Sequence, residues 1–168
     1  GGYASRALRL TALGMTTGRD QPVEGRFDGS THRFPVRVYF EDTDLSGVVY
    51  HANYLRFMER ARSDMLRLAG VDQRAAHEAG EGAYAVASLA IRYAAPARLD
   101  DALVVETKVT EVRAASVSIH QRVMRGDILL AEADVVAALV APSGRPRRQP
   151  GAWIDRFNSL LAKRDQTP

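Results

Sequence analysis

The sequence predicts a single α+β domain in which an antiparallel sheet of five strands curls around one long helix. One strand-like segment runs directly into the longest helical pattern of the chain, and four further strand-like segments follow with only short turns between them. Successive strands with tight turns are typical of an antiparallel meander. A helix with one apolar stripe needs a sheet face to cover it, and 168 residues are enough for one such domain.

The first strand and the long helix are joined by a polar connection. Residues 34–40 alternate as a strand does, residues 41–50 form the connection, and the helix follows at about 52–69. Its apolar residues recur at intervals of four and three and therefore share one stripe: Tyr54, Met58, Ala61, Met65 and Leu68. The opposite side of the helix is expected to carry the charged residues Arg56, Arg60, Asp64 and Arg67. Gly70 is a suitable stop for this helix.

The rest of the domain is predicted to be mostly strand. Asp72 is expected to cap a short second helix at 73–79. The following segments are rich in β-branched and other apolar residues, and we predict strands at 83–95, 102–113, 115–125 and 128–141. A single curled sheet leaves edge strands open, so we expect subunits to pair with one another.

The two ends of the chain differ in character from this core. Residues 1–31 contain few large apolar side chains and are predicted to be a poorly ordered extension. The domain itself is predicted to span residues 32–142. Residues 143–168 read as a basic, proline-rich linker followed by a short amphipathic helix that contains Trp153 and Phe157.

Composition argues against several classes of function. The chain contains no cysteine, which excludes a thiolate nucleophile and fits the reducing cytoplasm. It has no apolar run of about eighteen residues, so no membrane span is expected. The net charge of +3 comes from scattered arginines rather than from the dense basic face of a nucleic-acid-binding protein. Scattered guanidinium groups suit the phosphates of a small molecule instead.

The residues whose side chains are best suited to catalysis lie between the first strand and the long helix. Asp44 and His51 are seven residues apart, with Gly47 between them. By local chemistry alone, Asp44 is either a general base or a turn residue that caps the backbone, and His51 is either catalytic or structural. Residues 42, 43 and 44 cannot all face one pocket.

Other polar residues receive weaker interpretations. The acidic run at 41–44 has oxygen ligands that suit magnesium or calcium, but it lacks the spacing of a calcium loop, so no metal site is predicted. Glu59 is expected to pair with Arg62 on the helix surface. The isolated histidines are assigned no function: His32, His77 and His120.

Two segments resemble a known family. The first is Val38-Tyr39-Phe40-Glu41-Asp42-Thr43-Asp44 followed by Gly47-Val48-Val49-Tyr50-His51-Ala52-Asn53-Tyr54; the second is Ile91-Arg92-Tyr93 with Pro96-Ala97-Arg98-Leu99-Asp100-Asp101. They resemble the hotdog-fold acyl-CoA thioesterases of the 4-hydroxybenzoyl-CoA thioesterase-like branch, and within it the Tol-Pal-associated acyl-CoA thioesterases. The resemblance covers residues 32–142. It implies a helix wrapped by a sheet, in dimers that often pair into tetramers.

The resemblance also implies an activity and a set of site residues. The expected reaction is hydrolysis of an acyl-CoA thioester without a metal or other cofactor, with an acyl carrier protein as an alternative thiol carrier. Asp44, rather than Asp42, matches the family's catalytic aspartate, as base or nucleophile. The backbone N–H near His51 is expected to face the thioester carbonyl, and the His51 side chain to position water or the thioester. Phe40 stands where close relatives carry a tyrosine, so no hydroxyl is available there.

Substrate contacts are expected around the same loop and on the later strands. The candidate substrate-binding residues are Phe40, Gly47, Val49, Tyr50, Arg92, Arg98, Arg113 and Arg122. Two rival readings remain open at this stage. A hydroxyacyl dehydratase of the same fold would need a Pro-Gly-rich approach to the helix, which is missing here, and a non-catalytic module would bind an acyl-CoA or acyl carrier without releasing thiol.

Overall fold

A computed structural model describes residues 19–161 of the protein. The elements, in chain order, are β1 Arg26–Asp28, β2 Thr31–Arg37, a 3-10 turn Phe40–Asp42, α1 Asn53–Leu68, α2 Gln73–Glu78, β3 Ala83–Tyr93, β4 Ala102–Val112, β5 Ser116–Arg125, β6 Ile128–Val140 and α3 Gly151–Leu160. The predicted α+β class is confirmed. Within the described range, no helix is long and apolar enough to cross a membrane.

In the described part of the chain, the sheet has six strands rather than the predicted five. Their order is β1-β2-β4-β5-β6-β3, and every neighbouring pair is antiparallel. The additional strand is β1, which pairs with the start of β2. It lies inside the segment that was expected to be a poorly ordered extension, and three residues are too few for an alternating pattern to reveal a strand. Residues 1–18 of that segment lie outside the described residues.

The strand β2 ends earlier than its sequence pattern predicts. It stops at Arg37, because Val38 turns to exchange backbone hydrogen bonds with Asp100 and Asp101 in the loop before β4. The chain then enters a 3-10 turn in which the Asp42 carboxylate accepts a hydrogen bond from the Tyr39 N–H. Phe40 is therefore part of a turn and does not line one face of a strand.

The helix α1 packs its apolar stripe against the concave face of the sheet. Its buried residues include Tyr54, Met58, Ala61 and Met65, as the spacing predicts, whereas Leu68 is 36% exposed and lies beyond the covered part. On β5, the Gln121 side chain donates to the Met58 carbonyl and so ties the helix to the sheet. The helix ends before Gly70, whose φ of 81° favours glycine.

Two charged residues of α1, Arg62 and Asp64, are buried, contrary to the prediction. Arg62 pairs with Glu59 as expected, but only Glu59 is at the helix surface. Asp64 was expected on the exposed side, but only 6% of its side chain is exposed. Its carboxylate accepts hydrogen bonds from the His32 ring, from the Gly25 N–H and from the Arg67 guanidinium. The segment that contains β1 covers this side of the helix, which is why a carboxylate at the border of the stripe is enclosed.

The remaining helices match their sequence patterns. Asp72 caps α2 by accepting a hydrogen bond from the Ala75 N–H at 2.9 Å. The helix α3 buries Phe157 in the main core, where the Phe157 ring contacts Tyr84 of β3. The linker before α3 is anchored by Gln149, which accepts from the Tyr84 hydroxyl and donates to two backbone carbonyls.

Candidate active site

The candidate site is built on the loop between β2 and α1, residues 38–52. This loop lies at the end of the sheet where β2 and β3 finish and β4 begins, because Arg37 pairs with Ala102 and the strands are antiparallel. Inside the loop, Thr43 and Val49 form an isolated antiparallel bridge, and the Asp44 N–H donates to the Val48 carbonyl. Gly47 closes this tight turn with φ of 79°, in the left-handed region that favours glycine. The chain reversal presents Asp44 at the surface.

The Asp44 carboxylate is exposed and is held mainly by Ser46. Its Oδ1 atom accepts hydrogen bonds from the Ser46 N–H, at 2.9 Å, and from the Ser46 hydroxyl. These hydrogen bonds, the hydroxyl first among them, lower the pKa of Asp44 below its usual range. Within residues 19–161, Oδ2 has no hydrogen-bond partner. One oxygen is thus anchored, and the other is free to accept a proton or attack a carbon.

Asp42 has a different task from Asp44. It is 8% exposed, and its carboxylate receives the Tyr39 N–H. Its backbone carbonyl accepts from the Tyr50 N–H and from the Asn53 side chain, so it ties the loop to the start of α1. The carboxylates of Asp42 and Asp44 therefore have separate partners. Across residues 19–161, no group of three or more His, Cys, Asp or Glu side chains is arranged to hold a metal ion.

His51 lies at the other end of the loop. Its ring is exposed and packs against Tyr50, with centroids 4.4 Å apart, and edge-on against Tyr93 at 6.3 Å. It borders an open cleft of about 320 Å³, whose other lining residues are Val49, Tyr54, Tyr93, Ala94, Ala95 and Pro96. No hydrogen bond joins the side chains of His51 and Asp44 in the described chain. The structure therefore places both residues on one loop but does not couple them directly.

The two residues before α1 offer unpaired backbone donors, and one of these residues, His51, borders the cleft. Asn53 donates to the Tyr50 carbonyl and Leu55 to the Ala52 carbonyl. In the described chain, the N–H groups of His51 and Ala52 have no acceptor. Both groups directly precede the first turn of α1, at the positive end of the helix. Two such groups in succession can stabilise a negatively charged oxygen.

The second family-like segment supports the loop. Val49 donates to the Ala97 carbonyl at 2.8 Å, and Val48 forms an isolated bridge with Arg98. The Ala97 N–H in turn donates to the buried Tyr54 hydroxyl of α1 at 2.9 Å. The hydroxyl of Tyr93 donates to the His51 carbonyl at 2.7 Å. Backbone and side chains of this segment therefore hold the loop at both of its ends.

The candidate substrate-binding residues divide into two groups. Val49 lines the cleft, Tyr50 covers one face of the His51 ring, and Gly47 forms the turn. Arg98 is exposed beside Val48, at the same loop. Phe40, in contrast, is 83% exposed and does not line the cleft.

The other three arginines lie away from this loop. Arg113 is at the opposite end of the sheet, paired with Glu111 in the turn between β4 and β5. Arg92 and Arg122 point away from α1, because their strand neighbours face the helix. They belong to a row of alternating charge that crosses the outer face of the sheet: Arg33, Glu106, Arg122, Glu132 and Arg92. Arg113 is thus at the wrong end of the sheet, and Arg92 and Arg122 are on the wrong face, to line the cleft.

Sequence reasoning missed three residues that shape the site. Ser46 was not singled out, although a serine two residues after an aspartate is a common partner in a turn. Tyr93 and Ala97 were quoted as part of the second segment but given no role. Their contacts join residues more than forty positions apart, and no local pattern predicts them.

The six-stranded antiparallel sheet packed against α1 is the arrangement of a hotdog fold. A family model described as the thioesterase superfamily matches residues 46–132, more than half of the chain, and the protein belongs to this family. The fold and the family expected from the sequence are both confirmed.

Known proteins extend this likeness over most of the domain. The acyl-CoA thioesterase YbgC of Haemophilus influenzae is 50% identical over 107 residues, which cover 64% of this chain and 79% of that protein. The acyl-CoA thioester hydrolase YbgC of Escherichia coli O6:H1 is 44% identical over 127 residues, covering 74% of this chain and 94% of that protein. The crystal structure of a probable thioesterase from Bartonella henselae superposes with a TM-score of 0.69 at 38% identity, covering 71% and 99% of the two chains.

Proposed function

We propose that the protein hydrolyses acyl-CoA thioesters to the free acid and coenzyme A, with Asp44 as the reacting carboxylate. The observation that carries this proposal is the arrangement of one loop. It presents a carboxylate with a free oxygen at one end, and two unpaired backbone donors beside a cleft at the other. The relatives named acyl-CoA thioesterase and acyl-CoA thioester hydrolase support the choice of substrate class.

In the proposed reaction the thioester carbonyl lies in the cleft with its oxygen toward the N–H groups of His51 and Ala52. These donors stabilise the negative charge that develops on the oxygen when the carbonyl carbon becomes tetrahedral. Asp44 either removes a proton from the attacking water or attacks the carbon itself, forming an anhydride that water then opens. In both routes the C–S bond breaks, and the coenzyme A thiolate leaves and takes up a proton. The His51 side chain positions the water or the thioester.

The proposed substrate contacts follow from the position of each residue. Val49 and Tyr50 provide apolar surface beside the reacting carbonyl. Gly47 has no side chain, so it leaves space for the substrate next to Asp44. Arg98 is the proposed contact for the phosphates of coenzyme A, since it is exposed at the same loop. Arg92, Arg113 and Arg122 are left out of the proposed binding site because of their distance from the loop or their outward direction.

We further propose that the protein is a homo-oligomer formed through the edge strand β3. Eight of its eleven residues are exposed and none is buried, and among the described strands it pairs only with β6. A long open edge presents unpaired backbone groups, and natural proteins rarely leave such an edge uncovered. Pairing of two β3 strands would extend the sheet across a dimer, and a tetramer would need a second contact between dimers.

The compartment and an alternative thiol carrier also belong to the proposal. A cytoplasmic location agrees with the lack of cysteine in the sequence. An acyl carrier protein would present the same thioester group as coenzyme A. Hydrolysis rates for matched coenzyme A and carrier-protein thioesters would separate these two substrates.

The decisive test is the substitution Asp44→Asn. It keeps the size of the side chain but removes the charge, and we expect kcat to fall about 100- to 10,000-fold because the reacting carboxylate is lost. Thiol release from short, long and aromatic acyl-CoAs provides the measurement. Asp28→Asn is the matched control, since Asp28 is an exposed carboxylate at the opposite end of the sheet. Full activity of Asp44→Asn would disprove the role of Asp44, and binding of acyl-CoA without thiol release by the unaltered protein would indicate a binding module.

A further inference from the structure

We propose that Tyr93 is a positioning residue of this site: its hydroxyl fixes the peptide unit between His51 and Ala52 and thereby aims the Ala52 N–H at the thioester oxygen. This inference rests on the proposed function, because it concerns the donors that stabilise the reacting carbonyl. Tyr93 lies at the end of β3 and has not been assigned any part in the reaction above. Its hydroxyl donates to the His51 carbonyl oxygen at 2.7 Å.

The His51 carbonyl has no other partner among the described residues. At the start of an ordinary helix, a carbonyl at this position accepts from an N–H three or four residues further along. Here Leu55 donates to the Ala52 carbonyl and Asn53 donates to the Tyr50 carbonyl, so no described backbone N–H donates to the His51 carbonyl between them. The peptide unit between His51 and Ala52 thus lacks a backbone hydrogen bond at both its carbonyl and its N–H.

The planarity of the peptide bond links the two groups. The carbonyl of His51 and the N–H of Ala52 belong to one rigid plane and point in opposite directions. A hydroxyl that fixes the carbonyl direction therefore fixes the direction of the N–H as well. Without that hydrogen bond, the peptide plane is free to tilt, and a tilted donor stabilises the transition state less well.

Tyr93 is itself held firmly enough to do this. Its ring packs edge-on against Tyr54, with centroids 5.4 Å apart, and against the His51 ring. Tyr54 is buried and its hydroxyl receives the Ala97 N–H, so the ring that supports Tyr93 is fixed in the core. Tyr93 is 43% exposed, and its partial burial together with the neighbouring Tyr54 raises the pKa of its hydroxyl.

The substitution Tyr93→Phe removes the hydroxyl and keeps the ring. We expect kcat to fall about 10- to 100-fold with KM changed less than about threefold, because the donor acts on the transition state rather than on bound substrate. A CoA analogue with a trifluoromethyl ketone, which forms a tetrahedral oxyanion, should lose affinity by a similar factor. A CoA thioether, which has no carbonyl, should bind as before.

Tyr84→Phe is the matched control. Tyr84 lies on the same strand, and its hydroxyl also makes one hydrogen bond, to Gln149 at the opposite end of the sheet. We expect this variant to keep kcat and the affinity for both analogues. If both Phe variants behave alike, or if Tyr93→Phe alters KM and thermal stability while kcat is unchanged, the positioning role is wrong.

A second measurement does not depend on activity. His51-Ala52 is the one His-Ala pair in the sequence, so labelling with ¹³C-carbonyl histidine and ¹⁵N-alanine gives a single NMR correlation from this peptide unit. Tyr93→Phe should shift this signal, whereas Tyr84→Phe should not. An unchanged NMR signal in Tyr93→Phe would overturn the inference even if Asp44→Asn is inactive. Full activity of Asp44→Asn, with the signal shifted in Tyr93→Phe, would overturn the proposed function but not the Tyr93 hydrogen bond.

Discussion

The two oxygens of the Asp44 carboxylate are made unequal by Ser46. Both donors of Ser46, the backbone N–H and the hydroxyl, converge on Oδ1, so the carboxylate plane is fixed and Oδ2 is left for the reaction. The same hydrogen bonds lower the pKa of Asp44. Because the base must be ionised to act, this lowered pKa extends the active form to more acidic solutions.

Replacement of Ser46 by alanine should therefore shift the pH dependence of the reaction. Loss of the hydroxyl raises the pKa of Asp44 toward its ordinary value, so the carboxylate becomes protonated at a higher pH. We expect the acidic limb of the kcat/KM profile to move to higher pH, with a smaller effect at pH 8. Ser143→Ala, at an exposed position in the linker before α3, should leave the limb where it is. A limb that stays in place or moves to lower pH in Ser46→Ala would contradict the role given to Ser46.

The sequence indicates which residues are candidates for the site, but it does not indicate which residues they contact. Asp44 was preferred to Asp42 because it matches the family's aspartate and because residues 42, 43 and 44 cannot all face one pocket. The structure gives Asp42 a backbone-capping role. That role for Asp42 agrees with the choice, while the catalytic role of Asp44 stays a prediction. Tyr93 could not be assigned from sequence, because its partner His51 is 42 residues away and the hydrogen bond exists only once β3 and the start of α1 meet.

At the scale of the elements, α1 shows how one missing strand changes a prediction. The four-three spacing placed the helix and its stripe correctly to within a residue at each end. Asp64 was nevertheless assigned to the exposed side, since nothing in the helix itself indicates that β1 covers that border. The burial of His32 lowers its pKa, so its ring is neutral and donates from Nε2 to the Asp64 carboxylate.

This buried cluster leads to a prediction about stability. Asp64→Ala would leave the His32 Nε2–H and the Gly25 N–H without an acceptor, and we expect the free energy of unfolding to fall by about 2 to 4 kcal/mol. Urea unfolding at one fixed protein concentration provides the measurement, since an oligomer gains stability with concentration. Asp155→Ala, on the exposed side of α3, should change the free energy by less than about 0.5 kcal/mol. Equal effects of the two substitutions would show that the cluster contributes little.

The outer strands were harder to predict than the inner ones. The four strands after α1 were placed to within two residues at each end, because long apolar runs and turns such as Gly126-Asp127 mark them. β1 was missed because it is short, and β2 was extended too far because the pattern continues into the turn at Phe40. Arg92, Arg113 and Arg122 were chosen by residue type, but strand direction and alternation decide what they face.

At the scale of the whole molecule, the two family-like segments form one structure. Residues 38–54 and 91–101 meet through Val48, Val49, Tyr93 and Ala97, so the second segment is the support of the first. The sequence identified both segments but not their contact. This arrangement explains why a site with few reacting groups requires two separate stretches of chain: one carries the carboxylate and donors, and the other holds them in place.

The open edge of β3 gives the last prediction, which concerns the assembly. Ala87 is exposed in the middle of the strand, at the bulge where β6 pairs with Val86 and Ser88 but not with Ala87. Ala87→Asp should therefore leave the fold of one subunit intact but place like charges close together where two β3 strands pair. We expect the unaltered protein to be a dimer or tetramer in sedimentation experiments and Ala87→Asp to have a lower mass. Ala152→Asp, the same substitution at an exposed position of α3, should keep the original mass. A monomeric unaltered protein, or an unchanged mass for Ala87→Asp, would exclude β3 as the contact.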